Sequence, residues 1–383
     1  MRQPPGYEDP HQPNHVCKLK KSLYGLKQAP RLWFQNSQAS YNHAASSLVV
    51  LTPLLIFTKS HIRIYILIYV DDILITGNDS SIIQTLLKDL NAAFSLKQLG
   101  MISLFLGIQV LKIETGFFLT QEHYANKLIN EAGFDNCKAC STPIAPASAH
   151  SSDNALAFHD PSFYCRLAGS LQYLSITRPD IAFATNRTCQ HMQRPTIQDF
   201  QSIKRILRYV KGTLHFGLPI TPDDQQLRTY TNADWASNYS DRKSVSDFCT
   251  FLGPNLISWS VKKQATVVKS STEAEYKALF AATSEILWLR RLASELQIEQ
   301  TKPTVIHCDN VSVIAIAKNL VFHARTKHIE IDYHFIRQHI SSGAIQIQHI
   351  SSQDQIADIL TKPFSSTRFN FLRSKLTIQT PND

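Results

Sequence analysis

The sequence predicts a chain of mixed α+β and α/β class, with a strand-rich start, a mostly helical middle and a final α/β domain. Three observations predict it. The stretch HIRIYILIYVDDILITGND is a period-2 apolar strand broken by two acids and resumed as a second short strand. Thr196–Lys211 carries an apolar stripe at helical spacing, Phe200, Ile203, Ile206, Leu207 and Val210. From Leu227 onward, three strands in succession give way to helix, strand, helix and strand.

In order, Ile62–Val70 alternates Ile and Val with His61, Arg63, Tyr65, Leu67 and Tyr69, and is apolar enough to expect burial on both faces. Asp71 and Asp72 break it, ILIT resumes, and Gly77-Asn78-Asp79 ends the hairpin. Helices are expected at Ser81–Phe94 and Glu122–Ala132. The segment Cys137–Pro161, rich in Pro, Ala, Ser and Thr, reads as a linker. Beyond it lies Tyr164–Tyr173, and Arg178-Pro179-Asp180 opens a helix. Lys204, Arg205, Arg208 and Lys211 lie beside the stripe of Thr196–Lys211, either as a solvated face or along a nucleic-acid backbone. The last region predicts strands at Leu227–Thr231, Val245–Leu252, Asn255–Ser260, Pro303–Cys308 and Ile345–His349. Its helices are expected at 272–298, Ser312–Lys318, Ile329–Ser341 and Ser352–Leu360.

Composition narrows the function. The 383 residues carry 39 Lys and Arg against 30 acids, a net charge of +9 that suits a polyanionic partner. The 12 glycines are about half the usual ~7%, and no phosphate-cradling glycine motif occurs. Seven cysteines fit a reduced compartment rather than a disulfide scaffold. Cys137 and Cys140 form a C-x-x-C without a second pair at zinc-finger spacing, which reads as loop spacing rather than a metal site. The longest apolar run, Ser47–Phe57, is short of a ~20-residue membrane span. The polar, proline-rich start is not a signal peptide, so an intracellular protein without a membrane partner is expected.

The acids carry the chemical argument, because metal-assisted phosphoryl chemistry needs carboxylates converging on hard cations. Asp71 and Asp72 follow a buried strand, where an acid pair is costly unless a cation neutralises it, although Asp also favours turns. Glu275 shares the inward face of its helix with Leu279, Ala282 and Ile286, while Glu273 reads as a first-turn acid. Asp309 ends the strand PTVIHC. Asp358 lies a turn beyond a capping-box-like Ser351-x-x-Asp354. Asn232 and Asp234 close the first strand of this region on one strand face. Each acid alone is more often a cap or a surface group; their shared placement at inner ends and faces is what singles them out.

These residues resemble a known family. KLKKSLYGLKQAPRLWF, YVDDILITG, FLGIQV, the stretch Tyr164–Asn186 and RILRYVKGT resemble the reverse transcriptase of copia-type LTR retrotransposons. NADWA, DRKSVS, LISWSVKKQATVVKSSTEAEY, CDNVSVIAI, RTKHIEIDYHFIR and IADILTKPF resemble the ribonuclease H domain that follows it in the Pol polyprotein. The resemblance implies a truncated reverse-transcriptase palm at 1–135 and a thumb- or connection-like helical region at 136–225. It further implies a ribonuclease H-like α/β domain with a mixed five-stranded sheet at 226–364, followed by a polar tail at 365–383. It implies that Asp71 and Asp72 bind Mg²⁺ (or Mn²⁺) at a primer terminus. The third palm Asp lies upstream of the family segment that Met1-Arg2-Gln3-Pro4 matches, so fingers and that acid are expected to be missing and no DNA synthesis is expected.

In the second half the resemblance implies a four-carboxylate site for two Mg²⁺ ions that hydrolyses the RNA strand of an RNA–DNA hybrid. Glu275, Asp309 and Asp358 match three of its acids; the first acid position is Asn232, which offers no anionic oxygen. Asp234 shares its face but is a weak substitute, so severely reduced hydrolysis is expected. Lys27, Arg31, Lys204, Arg205, Arg208, Lys211, Lys262, Lys263, Arg325, Lys327 and His328 are the candidate contacts to hybrid or template-primer. The stripe Ile329, Tyr333, Ile336 and Ile340 is core rather than site. Residues 35–56 depart from the family pattern as a compensated pair of frameshifts would, which translation of the other frames of the DNA tests. The alternative is a catalytically dead transposon relic that retains nucleic-acid binding alone.

Overall fold

The structure, a computed structural model, describes residues 2–18, 48–51, 54–59, 61–70, 72–93, 96–145, 156–237, 241–319 and 330–381. Asp71, Lys27, Arg31, Arg325, Lys327, His328 and most of the anomalous stretch 35–56 lie outside these residues. The chain divides into two compact units, Met1–Ile102 and Ser103–Asp383.

The first unit holds an antiparallel sheet of β1 (Leu48–Leu51), β2 (Leu54–Lys59), β3 (Ile62–Tyr69) and β4 (Asp72–Gly77), in that order. Helix α1 (Ser80–Ala93) follows. The alternation read in the sequence sorts the faces of β3: Ile64, Ile66 and Ile68 pack against Leu86 and Leu90 of α1. Tyr65 and Leu67 on the other face are half-buried and Arg63 is exposed, so the expectation of burial on both faces holds for one. Only the face covered by α1 is sealed from water.

The second unit opens with an antiparallel sheet of β5 (Leu104–Phe105), β6 (Ile108–Ile113) and β7 (Gly116–Thr120), to which a later strand adds. Helices α2 (Glu122–Glu131), α3 (Pro161–Leu174), α4 (Ala182–Cys189) and α5 (Ile197–Lys211) follow. Arg178-Pro179-Asp180 leads into α4 through a 3-10 turn, Pro179–Ile181. Thr196 caps α5 in a capping box with Asp199. Strand β8 (Leu218–Ile220) then completes the sheet against β7.

The third sheet contains β9 (Leu227–Asp234), β10 (Val245–Leu252) and β11 (Asn255–Lys263), joined antiparallel. After the long helix α6 (Ser271–Glu295), β12 (Thr304–Cys308) lies parallel to β9. Helices α7 (Val311–Lys318) and α8 (Glu330–Ser341) lead to β13 (Ile345–His349), parallel to β12. The order β11-β10-β9-β12-β13 is the mixed five-stranded sheet expected. Side chains alternate across it. On one face, Ala233, Ile306 and Cys308 meet Ala274, Ala278, Tyr276 and Leu279 of α6. On the other, Cys249, Phe251 and Leu256 join a core made by α3, α5 and a 3-10 turn at Ile356–Leu360.

Two expectations need correction here. The end of the chain is not a polar tail: α9 (Ser366–Lys375) buries Phe369 and Leu372, with Leu376 and Ile378, in that same core. Asp354 N donates to Ser351 Oγ, whose hydroxyl donates back to Asp354 Oδ2, but the pair closes a turn rather than starting a helix. The 3-10 turn begins later, capped by Gln355.

A buried ionic cluster fastens these layers. Arg178, 2% exposed, grips Asp180 through Nε–Oδ1 at 2.9 Å and Nη2–Oδ2 at 2.8 Å. Its Nη1 donates to the Thr213 carbonyl, Tyr209 Oη donates to Asp180, and Arg373 of α9 donates to Tyr209 Oη. Burial raises the Asp180 pKa, but the charge and hydrogen bonds of Arg178 and Tyr209 together outweigh it and hold the carboxyl below its ordinary range.

Candidate metal-binding carboxylate site

Glu275 stands in the second turn of α6, whose start is fixed by Ser270 accepting from Glu273 N and by Glu273 accepting from Lys269 N. Glu273 is the first-turn acid expected, and it is buried. Asp309 follows the last residue of β12, so a strand end and a helix face bring the two carboxylates together. Glu275, Cys308 and Asp309 offer ligand atoms that all lie within 4.8 Å of one another. Asn310 Nδ2 donates to Glu275 Oε1 at 3.1 Å, and Ser352 Oγ donates to Asp309 Oδ2 at 2.7 Å. Burial pushes the Glu275 carboxyl up to about 7. Burial also pushes the Cys308 thiol up to about 12, so it stays protonated and is a poor ligand for a hard cation.

Asp358 enters from the 3-10 turn, 6% exposed. Its Oδ1 accepts from Asn232 Nδ2 at 2.5 Å and from Lys362 Nζ at 2.8 Å. Asn232 also donates to Thr361 Oγ1, while its own Oδ1 accepts from Ala233 N. The position expected to hold an acid is therefore a hydrogen-bond donor to the acid beside it. Burial raises the pKa of Asp358 and of Asp234, against the nearby Lys362. Burial works against the charge on Lys362, yet hydrogen bonding to Asp358 and the charges of Asp358, Asp309 and Asp234 raise its pKa. An ammonium thus stands among the acids.

Three participants escaped the sequence reading. Lys362 is four residues after Asp358, the helical ion-pair spacing, which was a readable signal. Cys308 was visible only as the end of an apolar strand. Asp247 is an acid in the middle of VSDFCTFL; it lies directly opposite Asn232 and is 1% exposed. Among the described residues, neither of its carboxylate oxygens has a hydrogen-bond partner. The rule that singled out Asp71 and Asp72, an acid on a core strand, would have found it. Hard oxygen donors in Glu275, Asp309 and Asp358, with orphaned carboxylate oxygens alongside, fit a divalent cation.

Asp72 is exposed at the start of β4, paired with Tyr69. Val70 between them has φ 51°, a left-handed conformation disfavoured for a β-branched residue but used by two-residue hairpin turns. The basic stripe of α5 makes contacts within the protein. Arg205 donates to Thr142 Oγ1, Arg208 to the Lys138 carbonyl, and Lys211 to the carbonyls of Asp135 and Cys137. Lys204 lies over the Phe200 ring. Arg205, Arg208 and Lys211 thus hold the stretch Asp135–Thr142, at the start of the linker, and supply donors to its backbone carbonyls and the Thr142 hydroxyl. Lys263 pairs with Asp241, and Lys262 is exposed.

A family model described as reverse transcriptase (RNA-dependent DNA polymerase) matches residues 1–146. The chain is 44% identical over 380 residues to the retrovirus-related Pol polyprotein from transposon RE1 of Arabidopsis thaliana, covering 98% of this chain and 26% of that protein. It is 34% identical to the Pol polyprotein from transposon TNT 1-94 of Nicotiana tabacum, over 97% of this chain and 29% of that one. An uncharacterized mitochondrial protein of Arabidopsis thaliana is 46% identical over 225 residues, 58% of this chain and 93% of its own length. Among solved structures, a foamy viral protease-reverse transcriptase in complex with dsDNA aligns at TM-score 0.47 and 13% identity, covering 86% of this chain and 60% of that one. LC11-RNase H1 in complex with RNA/DNA hybrid aligns at TM-score 0.28 and 13% identity, over 36% of this chain and 94% of its own. No described helix is long and apolar enough to cross a membrane.

Proposed function

The chain belongs to the copia-type retrovirus-related Pol polyproteins, and from that premise we propose that it is a reverse transcriptase/ribonuclease H fragment whose ribonuclease H site is weakened at Asn232. It spans 26% of RE1, so the activities of the whole polyprotein are part of the proposal. In this reading 1–135 is palm, 136–225 connects, and 226–364 is the ribonuclease H-like domain. The observation that carries it is the meeting of Glu275 and Asp309 at the end of β12, with Asp358 ion-paired to Lys362, whose charge also acts on Glu275 and Asp309.

Glu275, Asp309 and Asp358 would hold Mg²⁺ or Mn²⁺, which when bound activates water and offsets charge on the scissile phosphate. Asn310 and Ser352 orient Glu275 and Asp309 by donating to one oxygen of each. Asn232 binds Asp358 as a donor and adds no negative charge, so cation affinity falls and hydrolysis of the RNA strand slows. Lys262 suits a phosphate contact that positions the hybrid without reading bases. Asp71 and Asp72 would form the palm's cation-binding turn. A relic that merely binds nucleic acid is not favoured, because these carboxylates still converge.

The test is cleavage of a labelled RNA–DNA hybrid by the full chain with Mg²⁺ and with Mn²⁺, beside Glu275→Gln. Slow, metal-dependent cleavage lost in the variant, with hybrid binding retained in both, supports the reading. Equal cleavage by both proteins overturns it.

A further inference from the structure

Asp247 is an anomaly of the fold. It sits in mid-strand, enclosed, and its Oδ1 and Oδ2 both lack a hydrogen-bond donor. A buried carboxylate left unpaired destabilises the fold, and a protonated one still needs an acceptor for its O–H. Its strand partner is Asn232, and directly opposed residues of an antiparallel pair point to the same face. That face is the one closed by the 3-10 turn carrying Asp358. The neutral amide and the unpartnered carboxylate therefore stand side by side on neighbouring strands.

The hydrogen-bond inventory says which oxygens are uncommitted. Asn232 Oδ1 is taken by Ala233 N and its amide by Asp358 and Thr361. Lys362, the cation among these acids, is bonded to Asp358. Asp247 has neither, and burial followed by the Asp358 charge raises its pKa well above the ordinary range. A hard divalent cation would supply what both oxygens lack.

We propose that Asp247 provides, from β10, the anionic oxygen that Asn232 does not provide from β9, so that Asp247 and Asp358 together take one divalent cation. The inference rests on the carboxylate-site reading above and extends it: the ligand set is displaced by one strand, not simply lost. Asp234 is then not the substitute acid.

Mn²⁺ binding to the full chain, followed calorimetrically without nucleic acid, tests this separately from activity. The proteins are wild type, Asp247→Asn, Asn232→Asp and the double variant, with Asp247→Ser as a smaller replacement should the amide prevent folding. Removing an outer-shell partner already weakens metal affinity ~10-fold or more. Asp247→Asn, or Asp247→Ser in its place, should therefore lose at least about tenfold, and Asn232→Asp in the same chain should restore it. Wild-type affinity in Asp247→Asn overturns the proposal while the carboxylate-site reading stands. Binding by Asn232→Asp but not by wild type has the same meaning. Absence of Mn²⁺ binding in both wild type and Asn232→Asp overturns the two together.

Discussion

At the residue scale, the same physical fact explains both the gain and the loss at the site: a buried carboxylate is stable only beside a compensating charge or donor. Asp358 has Asn232 and Lys362, Asp309 has Ser352, Glu275 has Asn310, and Asp247 has none. Lys362 then acts as a resident countercharge. Lys362→Met should leave Asp358 without its cation and lower the thermal stability of the metal-free chain. Added Mn²⁺ should recover more stability in this variant than in wild type, which a melting series with and without Mn²⁺ measures. An unchanged Mn²⁺-induced shift would show that the ammonium and the metal do not compete. Asp180 gives a pH prediction. Its folded pKa lies below the unfolded value, so its stabilising contribution is present above about pH 4 and is lost as pH falls through the folded pKa. Asp180→Asn breaks a buried pair and should destabilise by about 3–5 kcal/mol at neutral pH. The gap should narrow in acid, as urea unfolding at a series of pH values would record.

At the element scale, helix α5 shows how far sequence reaches. Its apolar stripe was legible because period is a local property; the capping box of Thr196 and Asp199 was equally local but went unread. The role of its basic face was not legible, because Arg208 and Lys211 meet carbonyls some seventy positions away in sequence. Arg208→Ala should therefore destabilise the fold, by about 1 kcal/mol for a lost hydrogen bond, and leave hybrid affinity unchanged. Lys262→Ala should do the reverse. The salt dependence of binding separates them: losing one phosphate contact lowers the slope of log affinity against log salt by about 0.9. The same contrast runs through the site. The acids at strand and helix ends, Glu275 and Asp309, were readable from pattern. Asp247 was hidden inside an otherwise apolar strand, and its meaning depends on the register that sets it against Asn232.

At the scale of the whole molecule, the net charge of +9 remains a source of long-range attraction for a polyanion, but fewer cations are available for contact than their number suggests. Arg178, Arg205, Arg208, Lys211, Lys263 and Lys362 are engaged inside the protein. The last segment is a structural part of the second unit. Deleting 365–383 would remove Phe369 and Leu372, each contributing about 1.5–3 kcal/mol when buried, and would uncover the core beneath the Asp358 turn. The shortened chain should melt well below the full one or fail to express in soluble form; equal melting temperatures would show that α9 is dispensable. The proposed hybrid cleavage is, for the same reason, to be measured on the full chain.

Asn232 is proposed to limit this site. This is tested most directly by the rate at which the full chain and its Asn232→Asp variant cleave a labelled RNA–DNA hybrid in Mg²⁺ at matched hybrid occupancy. The account predicts that Asn232→Asp is faster by at least about tenfold, in line with the metal affinity that a restored ligand recovers. Equal rates would contradict it.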